Sequence, residues 1–265
     1  MDTLDDWSPL AGWRGRALGP AVLLPEVDST NAEALRRIDR GAPPAAEVLV
    51  AKRQRAGHGS RGRPWSDRPG RSLALTARFE WPEEAPLALA TWLGVVAVSD
   101  VLHEFGLAAR LKWPNDALLR GEKVAGVLAE VRRGGAIAVA LGIGVNVGHA
   151  RTELPSDCAT PPTSLALHGV REPPPLVARR LLDALERRTA ALLEDASRGA
   201  EALRDAFLRG SGLAGRPVVA TLAEGELRGR LVALSTAGEL TLEQAAGRRI
   251  VHGAHVTALR EVDEV

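Results

Sequence analysis

Residues 47–79 read EVLVAKRQRAGHGSRGRPWSDRPGRSLALTARF, and this stretch decides the fold. Its first six residues predict a strand. At its far end, residues 71–79 alternate, turning Leu73, Leu75, Ala77 and Phe79 to one face as a second strand. Between them, residues 54–65 carry three glycines, one histidine and three arginines and close on Trp65. Gly57, Gly59 and Gly62 permit positive φ and a close approach of backbone N–H groups to an anion. Arg55, Arg61 and Arg63 add guanidinium donors suited to phosphate or carboxylate. The loop therefore reads as an anion cradle held between two strands, although a solvated basic turn would have the same composition. It is not a dinucleotide fingerprint: GHGSRG fits the letters, but Arg63 and Pro64 follow where a helix should begin.

On the N-terminal side, residues 21–27 predict a strand. DSTNAEALRRI (28–38) predicts a helix, with Thr30 and Glu33 at capping-box spacing and Leu35 and Ile38 on one face. Downstream come a long apolar helix from about Pro86 to Phe105, a strand at 108–113, a hairpin at 114–131 turning at Gly121, and a buried strand at 136–147. Residues 174–195 and 199–209 predict helices, while TPPTS (160–164) and REPPP (171–175) read as loops. Strands and helices in this order predict an α+β mixed sheet. After Gly210 short apolar strands alternate with glycine-containing turns, which predicts a small β-barrel. The expected domains are 1–210 and 211–265.

Composition narrows the function. Of 265 residues, 45% are hydrophobic and 25% charged, as in a soluble globular protein of one or two domains. A net charge of +1 gives no broad attraction to nucleic acid or anionic membrane, so any anion must be bound by a local cluster. The single cysteine, Cys158, excludes an internal disulfide and lacks a histidine motif that would make it a nucleophile. No apolar run reaches the roughly 18 residues of a membrane span, and Asp2, Asp5 and Asp6 stand where a signal peptide would be basic. A cytoplasmic protein is expected. Lysine occurs only at Lys52, Lys112 and Lys123.

Two of those lysines belong to a second constellation, KWPND (112–116) with Lys123 seven residues beyond Asp116. Lys, Asn and Asp around a proline turn can set a carboxylate on Mg²⁺ and an ammonium on a phosphate or carbonyl oxygen. Taken singly, Lys123 reads equally as an exposed hairpin lysine and Trp113 as core packing. The third piece is GIGVNV (142–147): Gly142 and Gly144 in a buried strand imply a close approach to the backbone, and Asn146 offers an amide.

Together with DSTN (28–31), the motifs Q-x-A-G-x-G-x-x-G-R-x-W, KWPND, K-x-A-G-x-L-x-E and G-x-G-x-N span residues 28–147. In this order and spacing the sequence resembles the biotin protein ligases, and the C-terminal β-module resembles their SH3-like domain. The resemblance implies a mixed-sheet catalytic domain that joins biotin to ATP as biotinyl-5′-adenylate. The biotinyl group then passes to a lysine of the biotin carboxyl carrier domain of an acyl-CoA carboxylase. It assigns catalysis to Lys123, Arg61 and Arg63, with Lys123 touching the biotin carboxylate and the α-phosphate. Ser29, Thr30, Asn31 and Gln54 would meet the ureido end, Gly57 would let the ring lie close, Gly126 and Leu128 would wall the slot, and Trp65 would pack over the ligand. His58, Ser60, Arg61, Arg63, Trp65, Lys112, Asn115 and Asn146 would serve the nucleotide, and Asp116 its Mg²⁺.

The likeness departs from the family pattern inside the loop. The usual run G-R-G-R-x-G-R has lost its first two arginines to His58 and Ser60. A looser hold on the adenylate is expected, unless Arg61 or His58 supplies the charge. About twenty residues precede the first expected strand, too few for a DNA-binding helix-turn-helix, so no operator binding is expected. A lipoate or octanoate ligase of the same fold and a catalytically silent biotin-binding module are the alternatives. Exposed strand edges are compatible with a homodimer.

Overall fold

The computed structural model describes residues 6–42 and 45–262; Asp2 and Asp5 lie outside them. Two sheets carry the chain. The larger, of eight strands, is built from β1 (Arg14–Gly15), β2 (Gly19–Leu24), β3 (Glu47–Ala51), β4 (Ser72–Glu80), β5 (Ala109–Lys112), β6 (Asp116–Leu119), β7 (Glu122–Arg133) and β8 (Ile137–Asn146). Their spatial order is β1-β2-β3-β4-β8-β7-β6-β5. Only β2 and β3 run parallel, joined by the crossover helix α1 (Thr30–Asp39); the other neighbours are antiparallel, so the sheet is mixed as expected.

Helices cover both faces. Val48, Val50, Leu73, Leu75, Ala77 and Phe79 join one core with α2 (Ala88–Glu104) and α3 (Pro174–Glu194), whereas Leu49 packs beneath Ala34 and Leu35 of α1. The inward row of β4 thus matches the expectation, but its other face is also buried. There Arg78, 2% exposed, donates from Nε to Glu47 at 2.6 Å, and Glu47, 1% exposed, also accepts from Arg37 of α1. Alternation read alone would have left Arg78 in water; the helix laid across it requires a buried ion pair instead.

The helix start is also corrected. Ser29, not Thr30, is the N-cap, accepting from the backbone N–H of Ala32, while Glu33 turns away from the cap to bind Arg36 and Arg37. α2 is apolar all round because it lies between the sheet and two helices, α3 and α4 (Ala196–Ser211). The hairpin between β6 and β7 turns where expected, with Arg120 at φ +50° and Gly121 at φ +84° as a two-residue loop of doubly positive φ.

The second sheet contains β9 (Pro217–Leu222), β10 (Gly225–Leu234), β11 (Glu239–Gln244), β12 (Gly247–His252) and β13 (Ala258–Glu261), all antiparallel in the order β12-β11-β10-β9-β13. It docks on the larger sheet through Trp113, whose Nε1–H donates to the Val256 carbonyl at 3.0 Å. A Cβ on Gly253 would lie 2.7 Å from the same indole ring. Trp113 also meets Trp92 and Phe207 edge-on, so the core role read for it holds and extends to joining the two sheets. No helix among the described residues is long and apolar enough to cross a membrane.

Candidate active site

The floor of the site is the glycine pair Gly126 and Gly144, flanked in the same row by Asp116 and Ala74. Asp116 of β6 pairs with Gly126 of β7, Gly126 with Gly144 of β8, and Gly144 with Ala74 of β4. Without side chains at Gly126 and Gly144, the indole of Trp65 settles onto the backbone: a Cβ on Gly144 would lie 2.6 Å from the ring, and one on Gly126 would lie 3.5 Å away. The close approach read into Gly144 is therefore made by Trp65. Gly142, two residues earlier on the same face, is approached by Asn31, whose Oδ1 would sit 2.0 Å from an added Cβ.

Lys123 reaches this floor because of a β-bulge. The β6–β7 register shifts between Ala117 and Leu118, which pair with Ala125 and Lys123 respectively. Strict alternation would send residues 123 and 126 to opposite faces; the extra residue brings both to one face. The ammonium consequently lies 2.9 Å from where a Gly126 Cβ would be and 2.6 Å from Asp116 Oδ1. It also stands 5.9 Å from the centroid of the Trp65 ring, within cation–π range. An ammonium, a carboxylate and an indole converge over two bare glycines, with side-chain exposures of 24% for Lys123 and 15% for Asp116. Partial burial lowers the screening of that charge relative to open water.

The polar end lies at the start of α1. Gln54 Oε1 accepts from both the backbone N–H and the hydroxyl of Thr30, at 2.8 and 3.1 Å. Its amide nitrogen occupies the space that a Cβ on Gly57 would need, 2.8 Å away. Gly57 is thus required by Gln54 itself, whose NH₂ is left to donate outward. Asn31, in contrast, is turned inward: it accepts from Thr76 and donates to the Leu128 carbonyl and to Glu130. Ser29 is occupied as the helix cap, with its backbone N–H on Asp28.

Of the residues expected on the nucleotide side, Asn115 follows the cis Trp113–Pro114 peptide and exchanges bonds with β7, its Nδ2 donating to the Val127 carbonyl at 2.7 Å and its own carbonyl accepting from Val127 N–H. The amide of Asn146 donates to the Thr163 carbonyl at 2.9 Å, and the ammonium of Lys112 donates to Thr160 Oγ1. Both contacts fall on the TPPTS loop, which carried no functional reading from sequence.

The cradle loop folds on itself as a small hairpin. Gly59 N–H donates to the Arg63 carbonyl, and Trp65 N–H to the Gly57 carbonyl. Of the three glycines that permit positive φ, only Gly62 uses it, at +69°, while Gly59 is at −104° and Arg61 takes +61°. Arg61 and Arg63 are exposed, and Arg63 is held by the Ser60 hydroxyl at 3.2 Å and the Ser60 carbonyl at 3.4 Å. His58 stands 3.9 Å from Glu130 Oε2. The loop is thus beside the site, with neither arginine drawn onto Asp116.

Beneath the loop lies a polar chain that sequence reasoning missed. Asp67 accepts from Gln54 N–H at 2.6 Å, and burial pushes its carboxyl above the ordinary aspartate range. Next to it, the hydroxyl oxygen of Ser72 accepts from Arg68 N–H at 2.9 Å and lies 3.3 Å from Nε2 of the buried His149. Glu130 was also missed, although it closes the quoted K-x-A-G-x-L-x-E run.

Residues 23–147 match the Biotin/lipoate A/B protein ligase family. A biotin--[acetyl-CoA-carboxylase] ligase of Paracoccus denitrificans is 37% identical over 242 residues, covering 88% of this chain and 98% of that protein. A ligase of the same description from Mycobacterium tuberculosis is 35% identical over 186 residues, covering 67% and 65% of the two chains. Among solved structures, the biotin protein ligase of Aquifex aeolicus in complex with biotin and ATP superposes with a TM-score of 0.73 at 27% identity, covering 91% of this chain and 99% of that one. With more than a third of its residues shared along almost the whole Paracoccus enzyme, and with the Trp65, Lys123 and Asp116 cluster on its glycine floor, this chain belongs to the biotin/lipoate A/B protein ligase family as one of its biotin protein ligases.

Proposed function

We propose that the protein condenses biotin with ATP to give biotinyl-5′-adenylate and pyrophosphate. It then passes the biotinyl group to a lysine of the biotin carboxyl carrier domain of an acyl-CoA carboxylase, in the cytoplasm. The observation that carries this reading is the Lys123 ammonium, paired with Asp116 and set under Trp65 on the Gly126–Gly144 floor. In the first step a biotin carboxylate oxygen attacks the α-phosphorus and pyrophosphate departs, so two anions must be brought together. Lys123 lowers that repulsion and stabilises charge developing on the phosphoryl oxygens. In the second step the amine of the carrier lysine attacks the acyl carbon of the mixed anhydride, AMP leaves, and an amide forms.

The assigned groups have distinct tasks. Thr30 and Gln54 present a hydroxyl and an amide to the ureido end, with Ser29 and Asn31 as their structural supports. Trp65 covers the apolar ring, Gly126 and Leu128 bound the slot, and Lys112, Asn115 and Asn146 serve the nucleotide. His58, Ser60, Arg61 and Arg63 form the cover loop. Residues 1–210 act as the catalytic domain and 211–265 as the SH3-like domain.

Nucleotide-borne Mg²⁺ draws most ligands from phosphate and water and needs only one or two carboxylates. Among the described residues no cluster of three or more acidic, histidine or cysteine side chains could hold a resident metal, which fits an ion arriving with ATP. Asp116 is the carboxylate that would hold it, and the ion would neutralise phosphate charge when bound.

Pyrophosphate exchange into ATP, run with biotin, with lipoate and with neither acid on ligand-free protein, tests the reading. Exchange with biotin alone is expected. Exchange with lipoate instead would reassign the substrate, and exchange with neither acid in protein that binds biotin would replace the ligase by a binding module.

A further inference from the structure

The TPPTS segment makes more contacts with the phosphate side of the site than any loop role requires. Its Thr160 hydroxyl accepts from the ammonium of Lys112. One residue on, the Pro161 carbonyl accepts from Lys123 N–H at 2.8 Å, and Thr163 N–H donates to the Lys123 carbonyl at 2.8 Å, a single parallel bridge beside the bulge. The Pro162 carbonyl accepts from Arg151 at 2.9 Å, and the same guanidinium grips Glu122, the neighbour of Lys123, through both nitrogens. Thr163 carbonyl takes the Asn146 amide, and the Ser164 hydroxyl donates to the His149 carbonyl at 2.7 Å.

The two prolines suit this task. Each has fixed φ and lacks an N–H, so the segment offers carbonyls to its neighbours while leaving no donor of its own unpaired at 161 or 162. Bulges leave a strand locally short of ladder bonds. Pairing with residues 161–163 gives the Lys123 N–H and carbonyl their partners beyond the end of the β7–β8 ladder, at the position where the catalytic ammonium departs from the strand.

We infer that residues 160–164 are a positioning strap for the phosphate-facing groups: the Pro161–Thr163 backbone sets the strand at Lys123, and Thr160 holds the ammonium of Lys112 in place for the nucleotide. The inference rests on the adenylation chemistry proposed above. Thr160 is a positioning residue, since it acts through Lys112.

The test is biotin-dependent pyrophosphate exchange on the full chain for Thr160→Val, Thr160→Ser, Lys112→Met and the Thr160→Val/Lys112→Met double variant, each with its Tm. Thr160→Val is nearly isosteric and loses only the hydroxyl. It should raise KM for ATP by about tenfold, the scale of one charged hydrogen bond, with KM for biotin and Tm unchanged. Thr160→Ser should restore the wild-type value, and Thr160→Val should have no further effect once Lys112 is Met, because interacting residues are non-additive. A valine variant indistinguishable from wild type, parallel changes in both KM values with a fallen Tm, or additivity in the double variant would each overturn the strap. Wild-type protein without biotin-dependent exchange would remove the adenylation reading first and the inference with it, whereas a silent Thr160→Val in an active enzyme sinks the inference alone.

Discussion

At the scale of single residues, most of the site was visible as chemistry but not as direction. Lys123, Asp116 and Trp65 meet over the glycine floor and Gln54 meets Thr30, whereas residue type alone left Lys123 equally readable as an exposed hairpin lysine. Asn31 does not face the slot, because an amide on the first turn of α1 is met by Thr76, Leu128 and Glu130 from the sheet below. No spacing rule reveals which way a buried amide turns when both sides offer partners. Asp67, Ser72 and His149 escaped for a related reason: they are separated in the chain and meet only after β4 and β8 pair.

His149 gives that network a pH signature. It is 1% exposed, and burial holds its pKa below the ordinary imidazole value, with Arg68 and Arg71 opposing protonation and Glu153 favouring it. The folded state therefore resists a proton that the unfolded chain accepts. The stability contribution is whole above the unfolded pKa near 6.5 and declines as pH falls from there toward the lowered folded value. Replacing His149 by Asn removes this slope. The stability advantage of wild type over His149→Asn, measured by urea unfolding, should accordingly shrink between pH 7.5 and pH 5; an advantage that stays constant or grows would refute the burial argument.

Ser60 carries the other residue-scale consequence. Its hydroxyl and carbonyl hold Arg63 within the cover loop, at a position where the family pattern has an arginine. Ser60→Arg removes the hydroxyl tether and adds a charge, so release of biotinyl-adenylate, followed by rapid dilution into carrier-free buffer, should slow several-fold. An unchanged escape rate would show that the two missing arginines do not govern retention.

At the scale of elements, strands and helices were legible where periodicity was strong: β3, β4, β8, α2 and α3 fall close to their expected bounds. The bulge in β7 was not, since a shift of one residue leaves composition untouched while reversing which face carries Lys123. The short β1, of two residues, has too little sequence to show a period. Trp113 shows how one element fixes another. Its indole N–H on Val256 and its ring against Gly253 tie the KWPND turn to the C-terminal sheet. Trp113→Phe keeps most of the packing but leaves the buried carbonyl of Val256 unpaired, and should cost about 1–3 kcal/mol in urea unfolding. A loss below about 0.5 kcal/mol would mean that this hydrogen bond contributes no more than an ordinary surface change.

At the scale of the whole molecule, the sheet serves as a support in which two adjacent glycines, Gly126 and Gly144, leave the backbone bare. Asp116, Gly126, Gly144 and Ala74 lie side by side on four strands, and Trp65 from the loop after β3 closes over them. α2, α3 and α4 hold the sheet from behind, and the second sheet braces the turn that carries Asn115 and Asp116. The α+β class and the two-part organisation could be read from the order of strands and turns. The strap across Lys123 could not, because prolines with polar neighbours look like any loop until the strand they bridge is in place.

In the proposed reaction the Lys123 ammonium on this floor activates biotin for transfer. The most direct measurement is mass spectrometry of a biotin carboxyl carrier domain after a single turnover with biotin, ATP and Mg²⁺, using wild type and Lys123→Ala proteins of equal Tm. Wild type should place one biotinyl group on one carrier lysine, and the variant should lose at least about a hundredfold in rate, the scale of removing one transition-state charge contact. An unmodified carrier with wild type, or full modification by Lys123→Ala, would contradict that proposal.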